Sequence, residues 1–238
     1  MTTLKKAMIL AAGRGERMRP LTDTTPKPML PVGGRPVLDY GLMYLKSQGI
    51  EEVVLNLWHL GDQIKHHVRQ GHAYGLKVNY SPEKELLGSG GGLKNAENYF
   101  SNEKTFVVMN GVVLIDCLLP LVLEQHQKQK ASATLVLMER TEKDPHTHID
   151  VANDKVISIG KGGNYFYTGL ALFGSEIFTI LPVGSPSCLV QNGLNPMIAE
   201  GRTVAAYIHR GHWRKIFDPQ SYQELQEEWA AAHSTHRF

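Results

Sequence analysis

Over the first half of the chain, short apolar runs alternate with segments of helical period, and this alternation restricts the fold more than any other feature. "KAMILAAG" reads as a buried strand that opens into a glycine-rich loop. "PVLDYGLMYLKSQG" follows with helical spacing and Gly49 as its stop. Then come "EEVVLNL" as strand, "GDQIKHHVRQG" as helix, "LKVNYS" as strand, "GGLKNAENYF" as helix and "TFVVMNG" as strand. Strands joined through helices pair in parallel, so an α/β architecture with a mostly parallel sheet is expected.

Past residue 118 the pattern loosens. "CLLPLVLEQHQKQK" looks helical, while "SATLVLME", "KVISIG", "FYTGLALFG" and "TVAAYIH" read as strands, so this half is mixed. "PQSYQELQEEWAAAH" is a helix with Pro219 at a position where helices accept proline, and with acidic residues in its early turns. No repeat or linker interrupts the 238 residues, and one domain is expected, with residues 1–117 and 118–238 as its halves.

A formal net charge of +2 gives no footprint for nucleic acid. No apolar run reaches the length of roughly 20 residues that spans a membrane, and residues 1–6 lead into a strand, which points to a cytoplasmic protein. Cys117 and Cys188 are too few for a disulfide framework and read as free thiols. In "DPHTHID", His146 and His148 with Asp144 and Asp150 nearby form an H-x-H that supplies at most two ligands, so no metal is assigned there.

The segment "LAAGRGERMRPLTDTTPKPMLPVGGRP", from Leu10 to Pro36, follows the first strand at the end where open α/β sheets bind ligands. Gly13 and Gly15 let the backbone approach a phosphate, and Arg14, Arg17, Arg19 and Lys27 add positive charge. The glycines complete neither the dinucleotide fingerprint nor the Walker pattern. The whole string, "LAAGRGERMRPLT" with "TPKPMLPV", resembles the signature of the sugar-1-phosphate nucleotidyltransferases, which join a nucleoside triphosphate to a sugar 1-phosphate and release pyrophosphate. "LLGSGGGL", "MNG", "YTGL" and "HWRKIFDPQSY" continue the resemblance in the family's order. The short length is most similar to a compact branch that includes N-acetylmuramate 1-phosphate uridylyltransferases and mannose 1-phosphate guanylyltransferase-like proteins.

The resemblance implies a Rossmann-like, doubly wound sheet of glycosyltransferase-A type, with a mixed sugar-binding portion. It also implies roles for individual residues. Leu10, Ala11, Ala12, Gly13, Arg14 and Gly15 would line the nucleotide, with Gly15 and Arg17 holding the triphosphate and Lys27 neutralising the reacting phosphates. Glu83 to Ser89, including Gly88, would contact base and ribose, with Gly90 and Gly91 behind. Asn110, Gly111, Thr168 and Gly169 fall in the sugar-contacting turns. Lys161 sits near a lysine that meets the sugar phosphate, although Gly160 replaces the acidic residue usual before it.

The same resemblance exposes a loss. Family members bind Mg²⁺ through an aspartate after the N-G and a second one two residues after the tryptophan of W-x-D-I-G-T-P. Here Val112 follows Asn110 and Gly111, and in "WRKIFDP" the register of Trp213, Ile216 and Pro219 puts Lys215 at the second aspartate and Phe217 at the glycine. Gln191 and Asn192 are neutral where relatives often carry acids. A hard cation gains nothing from valine and is repelled by an ammonium.

The expectation is a protein that binds a nucleoside triphosphate or NDP-sugar with metal-dependent catalysis lost or impaired, a pseudoenzyme or regulatory paralogue with no metal cofactor. Two alternatives stand beside it: an active transferase in which Asp116 or Asp218 rebuilds the Mg²⁺ site, and an interaction module on a relic pocket. A homodimer or pairing with an active paralogue is compatible with the first. Base and sugar are left open.

Overall fold

In the computed structural model, which describes residues 3–141, 146–160 and 162–234, strand β1 (Lys6–Leu10) is flanked on both sides by parallel neighbours. A short hairpin follows the glycine-rich loop, β2 (Pro31–Val32) with β3 (Arg35–Pro36). Helix α1 (Val37–Ser47) places Leu38, Leu42 and Leu45 on one buried stripe. It ends where Gly49, at φ +86°, lets its own N–H reach the Lys46 carbonyl and that of Ile50 reach the Leu45 carbonyl.

The chain then runs through β4 (Glu52–Leu57), α2 (Gly61–Val68), β5 (Lys77–Pro82), α3 (Gly88–Asn95) and β6 (Thr105–Asn110). Beyond β7 (Val113–Ile115) lie α4 (Leu119–Lys128), β8 (Ala133–Glu139), β9 (Ile149–Ala152), β10 (Lys155–Ile159) and β11 (Tyr165–Gly174). The last elements are α5 (Ile177–Ile180), a π-helical turn at Leu189–Leu194, α6 (Asn195–Ala199), β12 (Val204–Ile208), β13 (Trp213–Lys215) and α7 (Pro219–Ser234).

Nine strands form the main sheet in the order β5-β4-β1-β6-β11-β8-β12-β10-β9. Pairing is parallel through β5, β4, β1 and β6 and again between β8 and β12, while β11 runs antiparallel to both β6 and β8. The helix-linked first half is therefore parallel and the second half mixed, as the element order implied. Strand residues alternate between two cores, which is what a sheet covered on both faces demands. Ala7, Ile9, Val53, Leu55, Val107 and Met109 meet α1, α2 and α4. Met8, Val54, Phe106 and Val108 meet α3, α5 and α6. On that second face Phe100 and Phe106 stack at 4.3 Å.

Three differences from the sequence reading bear on the site. Helix α3 begins at Gly88, ahead of the "GGLKN" start. Its glycines let it lie against residues 185–187: a Cβ at Gly88 would stand 2.6 Å from the Ser187 carbonyl oxygen, and one at Gly91 would stand 2.8 Å from that of Ser185. β7 and β13 form a separate antiparallel pair, too short for a period to reveal. A third core of Met18, Leu30, Val32, Val37, Ile216 and Leu225 ties α7 to the glycine-rich loop.

Candidate functional site

The sheet order places β4 on one side of β1 and β6 on the other, so the chain reverses direction across the sheet at the β1–β6 seam. Crevices at the carboxyl ends of such strands take ligands. Leu10 and Asn110 are the last paired residues of that seam. Gly111 folds back over it, its N–H donating to the Leu10 carbonyl at 3.0 Å, and a Cβ there would press on that same oxygen at 3.0 Å.

Beyond the seam opens a cleft of about 340 Å³. The loop after β1 lines it with Leu10, Ala11, Ala12, Gly13 and Gly15, and Lys27, Gly88, Ser89, Asn110 and Val112 close it. Most of the residues expected at the nucleotide thus converge. Gly13 has open space where a side chain would project, whereas Gly15, at φ +69°, is crowded by Thr22, whose hydroxyl donates to the Gly15 carbonyl at 2.9 Å. Arg14 is exposed and does not line the cleft.

Glu83 does not line this cleft. Its buried carboxylate accepts hydrogen bonds from Asn56 Nδ2 at 2.7 Å and the Leu87 N–H at 2.9 Å, while Asn56 Oδ1 accepts the Ala11 N–H at 2.8 Å. The chain Ala11–Asn56–Glu83–Leu87 fastens the glycine-rich loop to the segment before α3. Burial pushes the Glu83 carboxyl up, against the pull of these two donors. Gly91 is likewise spent on packing, and the Ser89 hydroxyl accepts the Leu189 N–H at 2.9 Å. Asn56 carried no motif and escaped sequence reasoning.

The β7–β13 pair brings the two anomalous positions together. Val113 stands opposite Lys215, and the Ile216 N–H donates to the Val112 carbonyl at 3.1 Å. Val112 packs against the third core. Lys215, Lys27 and Arg17 gather beside it, and Phe217 holds them. Lys27 Nζ donates to the Phe217 carbonyl at 3.0 Å, the Arg17 guanidinium lies 4.2 Å from the centre of the Phe217 ring, and Lys215 Nζ lies 5.9 Å from it. Burial, then Lys215 and Arg17, pull the Lys27 ammonium down to about 8, with Asp218 opposing. Burial and then Arg17 lower Lys215. Gathered cations that depress one another make an anion site.

Each of the two substitute carboxylates already has a partner. Asp116 pairs with His209 Nε2 at 2.9 Å. Asp218 caps α7: its Oδ1 accepts the Ser221 N–H at 2.9 Å, and that hydrogen bonding, ahead of Lys27 and Arg17, holds its carboxyl below the usual range. Gln191 is exposed on the π-helical turn, where Asn192 Oδ1 accepts the Cys188 N–H at 2.9 Å. Among the described residues no three His, Cys, Asp or Glu side chains cluster to hold a metal. His146 stacks on Phe166 at 4.6 Å, and Asp144 lies outside the described residues. The donor set does not fit Mg²⁺, which takes carboxylate and water oxygens.

A second cavity of about 310 Å³ adjoins the cations. Arg17, Lys215 and Phe217 form its near wall, and His146, Thr147, Ile159 and Tyr167 contribute to the rest. Thr168, expected in a sugar-contacting turn, does not line it. The residue is buried, with its hydroxyl donating to the Val136 carbonyl at 2.7 Å and its own carbonyl accepting Trp213 Nε1 at 2.9 Å. Gly169, at φ +91°, makes room for Asn110, whose Nδ2 would be 2.5 Å from a Cβ. Lys161 lies outside the described residues.

The signature of the Nucleotidyl transferase family matches residues 6–231. The chain belongs to that family. Among its relatives, the N-acetylmuramate alpha-1-phosphate uridylyltransferase of Neisseria meningitidis is 36% identical over 216 residues, covering 89% of this chain and 92% of that one. The UTP–glucose-1-phosphate uridylyltransferase of Synechocystis is 32% identical over 200 residues, but this chain spans only 51% of its length. The nucleotidyl transferase fold recurs in HddC from Yersinia pseudotuberculosis, solved with GMP-PN, at a TM-score of 0.81 and 24% identity over 95% of this chain and 100% of that one. This family member has no described helix long and apolar enough to cross a membrane.

Proposed function

We propose that this member of the sugar-1-phosphate nucleotidyltransferases binds a nucleotide or nucleotide-sugar without Mg²⁺ and has lost or impaired nucleotidyl transfer, serving as a regulatory or binding paralogue. The observation that carries this reading is Lys215 beside Val112, hydrogen-bonded into one strand pair and next to Arg17 and Lys27. At the two positions where the resemblance puts metal-binding aspartates, Val112 carries no charge and Lys215 a positive one. In transfer, a metal ion neutralises the charge that grows on the departing pyrophosphate. Here three protein cations occupy that place, and they neutralise a bound phosphate group without being able to polarise it as a divalent ion does.

The cleft beyond the β1–β6 seam takes the nucleotide, with Gly13, Gly15 and Lys27 at its phosphates and Ser89 and Gly88 toward the base. The second half of the chain supplies the other cavity. A cytoplasmic protein is part of this reading, in keeping with two free thiols, Cys117 buried and pushed up to about 12.

A second reading, transfer through a rebuilt metal site, has in its favour that the relatives carry transferase names. It requires Asp218 to leave its helix cap or Asp116 its histidine. Calorimetric titration with UTP and GTP, in EDTA and then in Mg²⁺, paired with a pyrophosphate-release assay, separates the two. Binding that is unchanged by Mg²⁺, with no release of pyrophosphate, is expected. Magnesium-dependent turnover would overturn the proposal.

A further inference from the structure

The cations are spread over the walls of two cavities linked by the bond from Lys27 to the Phe217 carbonyl. Lys27 and Val112 line the nucleotide cleft, and Arg17, Lys215 and Phe217 line the second cavity, with the Phe217 carbonyl accepting from Lys27 across the two and its ring 4.2 Å from the Arg17 guanidinium and 5.9 Å from Lys215 Nζ. A ligand occupying both cavities must carry its charge in its middle. A free triphosphate carries it at one end.

The amount of charge points the same way. Three cations against one carboxylate, Asp218, leave a formal +2 at this seam. A diphosphate esterified at both ends carries about two negative charges at neutral pH, whereas a free triphosphate adds the second ionisation of its terminal phosphate and carries about four. With no metal to bind the excess, two charges of a triphosphate would enter a partly desolvated site uncompensated, which is unfavourable. Beyond the cations, the Tyr167 hydroxyl lines the second cavity and has no hydrogen-bond partner among the described residues. A hydroxyl-rich group attached past the diphosphate would supply one.

We propose that this site selects a diphosphate diester, a nucleoside diphosphate linked to a polyol, over the metal-free nucleoside triphosphate, and that Phe217 sets the selection by holding Arg17, Lys27 and Lys215 at the seam. The proposal rests on metal-independent nucleotide binding as proposed above. Phe217 is a positioning residue: it stands where the family pattern has glycine, which offers no ring for Arg17 to stack on. The preference follows from cations fixed between the cavities, and loosening them allows Arg17 and Lys27 to follow a terminal phosphate instead.

The test is calorimetric titration of the full chain in EDTA with UDP-glucose, GDP-mannose, UDP, GDP, UTP and GTP. At least one diphosphate sugar should bind ten-fold or more tightly than the triphosphate of the same base. Phe217→Leu keeps the apolar contact and the backbone carbonyl but removes the ring. It should bring the two affinities within about three-fold, while Phe217→Tyr should preserve the preference. Tyr167→Phe should weaken the diphosphate sugar and leave the plain diphosphate unchanged. A triphosphate that binds as tightly as the diphosphate sugar overturns this proposal and leaves metal-free binding standing. Absence of binding by all six overturns both. A preference that survives in Phe217→Leu removes the role given to the ring.

Discussion

Replacing Lys27 by methionine should stabilise the folded protein at neutral pH, although the lysine is part of the site. The fall of its pKa from 10.5 to about 8, caused by burial and by Lys215 and Arg17, corresponds to about 3 kcal/mol against the charged form. Methionine has similar length and removes that cost. It also removes the hydrogen bond to the Phe217 carbonyl, worth about 1 to 1.5 kcal/mol net. A gain of about 2 kcal/mol should remain at pH 7. The pH dependence identifies the cause. Between pH 8 and 10.5 the unfolded lysine holds its proton and the folded one has lost it, so wild-type stability rises with pH across that window. The advantage of Lys27→Met should therefore shrink and vanish by about pH 10. Urea unfolding at 25 °C measures it: with a slope of about 2 to 3 kcal/mol/M, the midpoint should rise by about 0.7 M at pH 7 and coincide with wild type at pH 10. A variant no more stable than wild type at pH 7, or a gain undiminished at pH 10, would refute the account of a strained cationic cluster.

Three further substitutions test individual placements. Glu83→Gln puts an amide N–H₂ against either Asn56 Nδ2 or the Leu87 N–H, and Asn56 is kept from turning over by its bond to the Ala11 N–H. About 2 kcal/mol of stability should be lost, with faster amide exchange at Ala11 as the local readout. Gly169→Ala forces a side chain into φ +91° and toward Asn110 and should destabilise by about 2 kcal/mol in thermal or urea unfolding; a neutral effect would mean the turn has slack. Thr168→Val loses its bond to the Val136 carbonyl and should cost about 1 kcal/mol while leaving UDP-glucose and GDP-mannose affinities within two-fold. Loss of affinity without loss of stability would return the hydroxyl to the sugar.

The order of strands and helices in the first half was legible because β1, β4 and β6 are five or six residues long and buried on both faces. A run of that length shows as continuous apolar sequence. The same holds for the glycine-rich loop, where Gly13 and Gly15 are needed for different reasons, one for open approach and the other for a left-handed backbone packed on Thr22. β7 and β13 were not legible. With three residues each, they show no period, and only their pairing explains why Val112 and Lys215 are neighbours across a hundred residues of chain.

By itself, then, the sequence determined a parallel first half, a glycine-rich loop at the end of its first strand, and a valine and a lysine at the two positions where the resemblance implies aspartates. Those are properties of local pattern and residue type, readable without knowing what touches what. Tertiary structure alone decided which side chains face the cleft. Glu83 and Thr168 looked like ligand contacts but satisfy buried backbone and amide groups, because a polar group taken from water must find a partner nearby. Phe217 looked like a lost glycine, yet its ring and carbonyl gather three cations, a role that exists only once the fold has brought residues 17, 27 and 215 to one place.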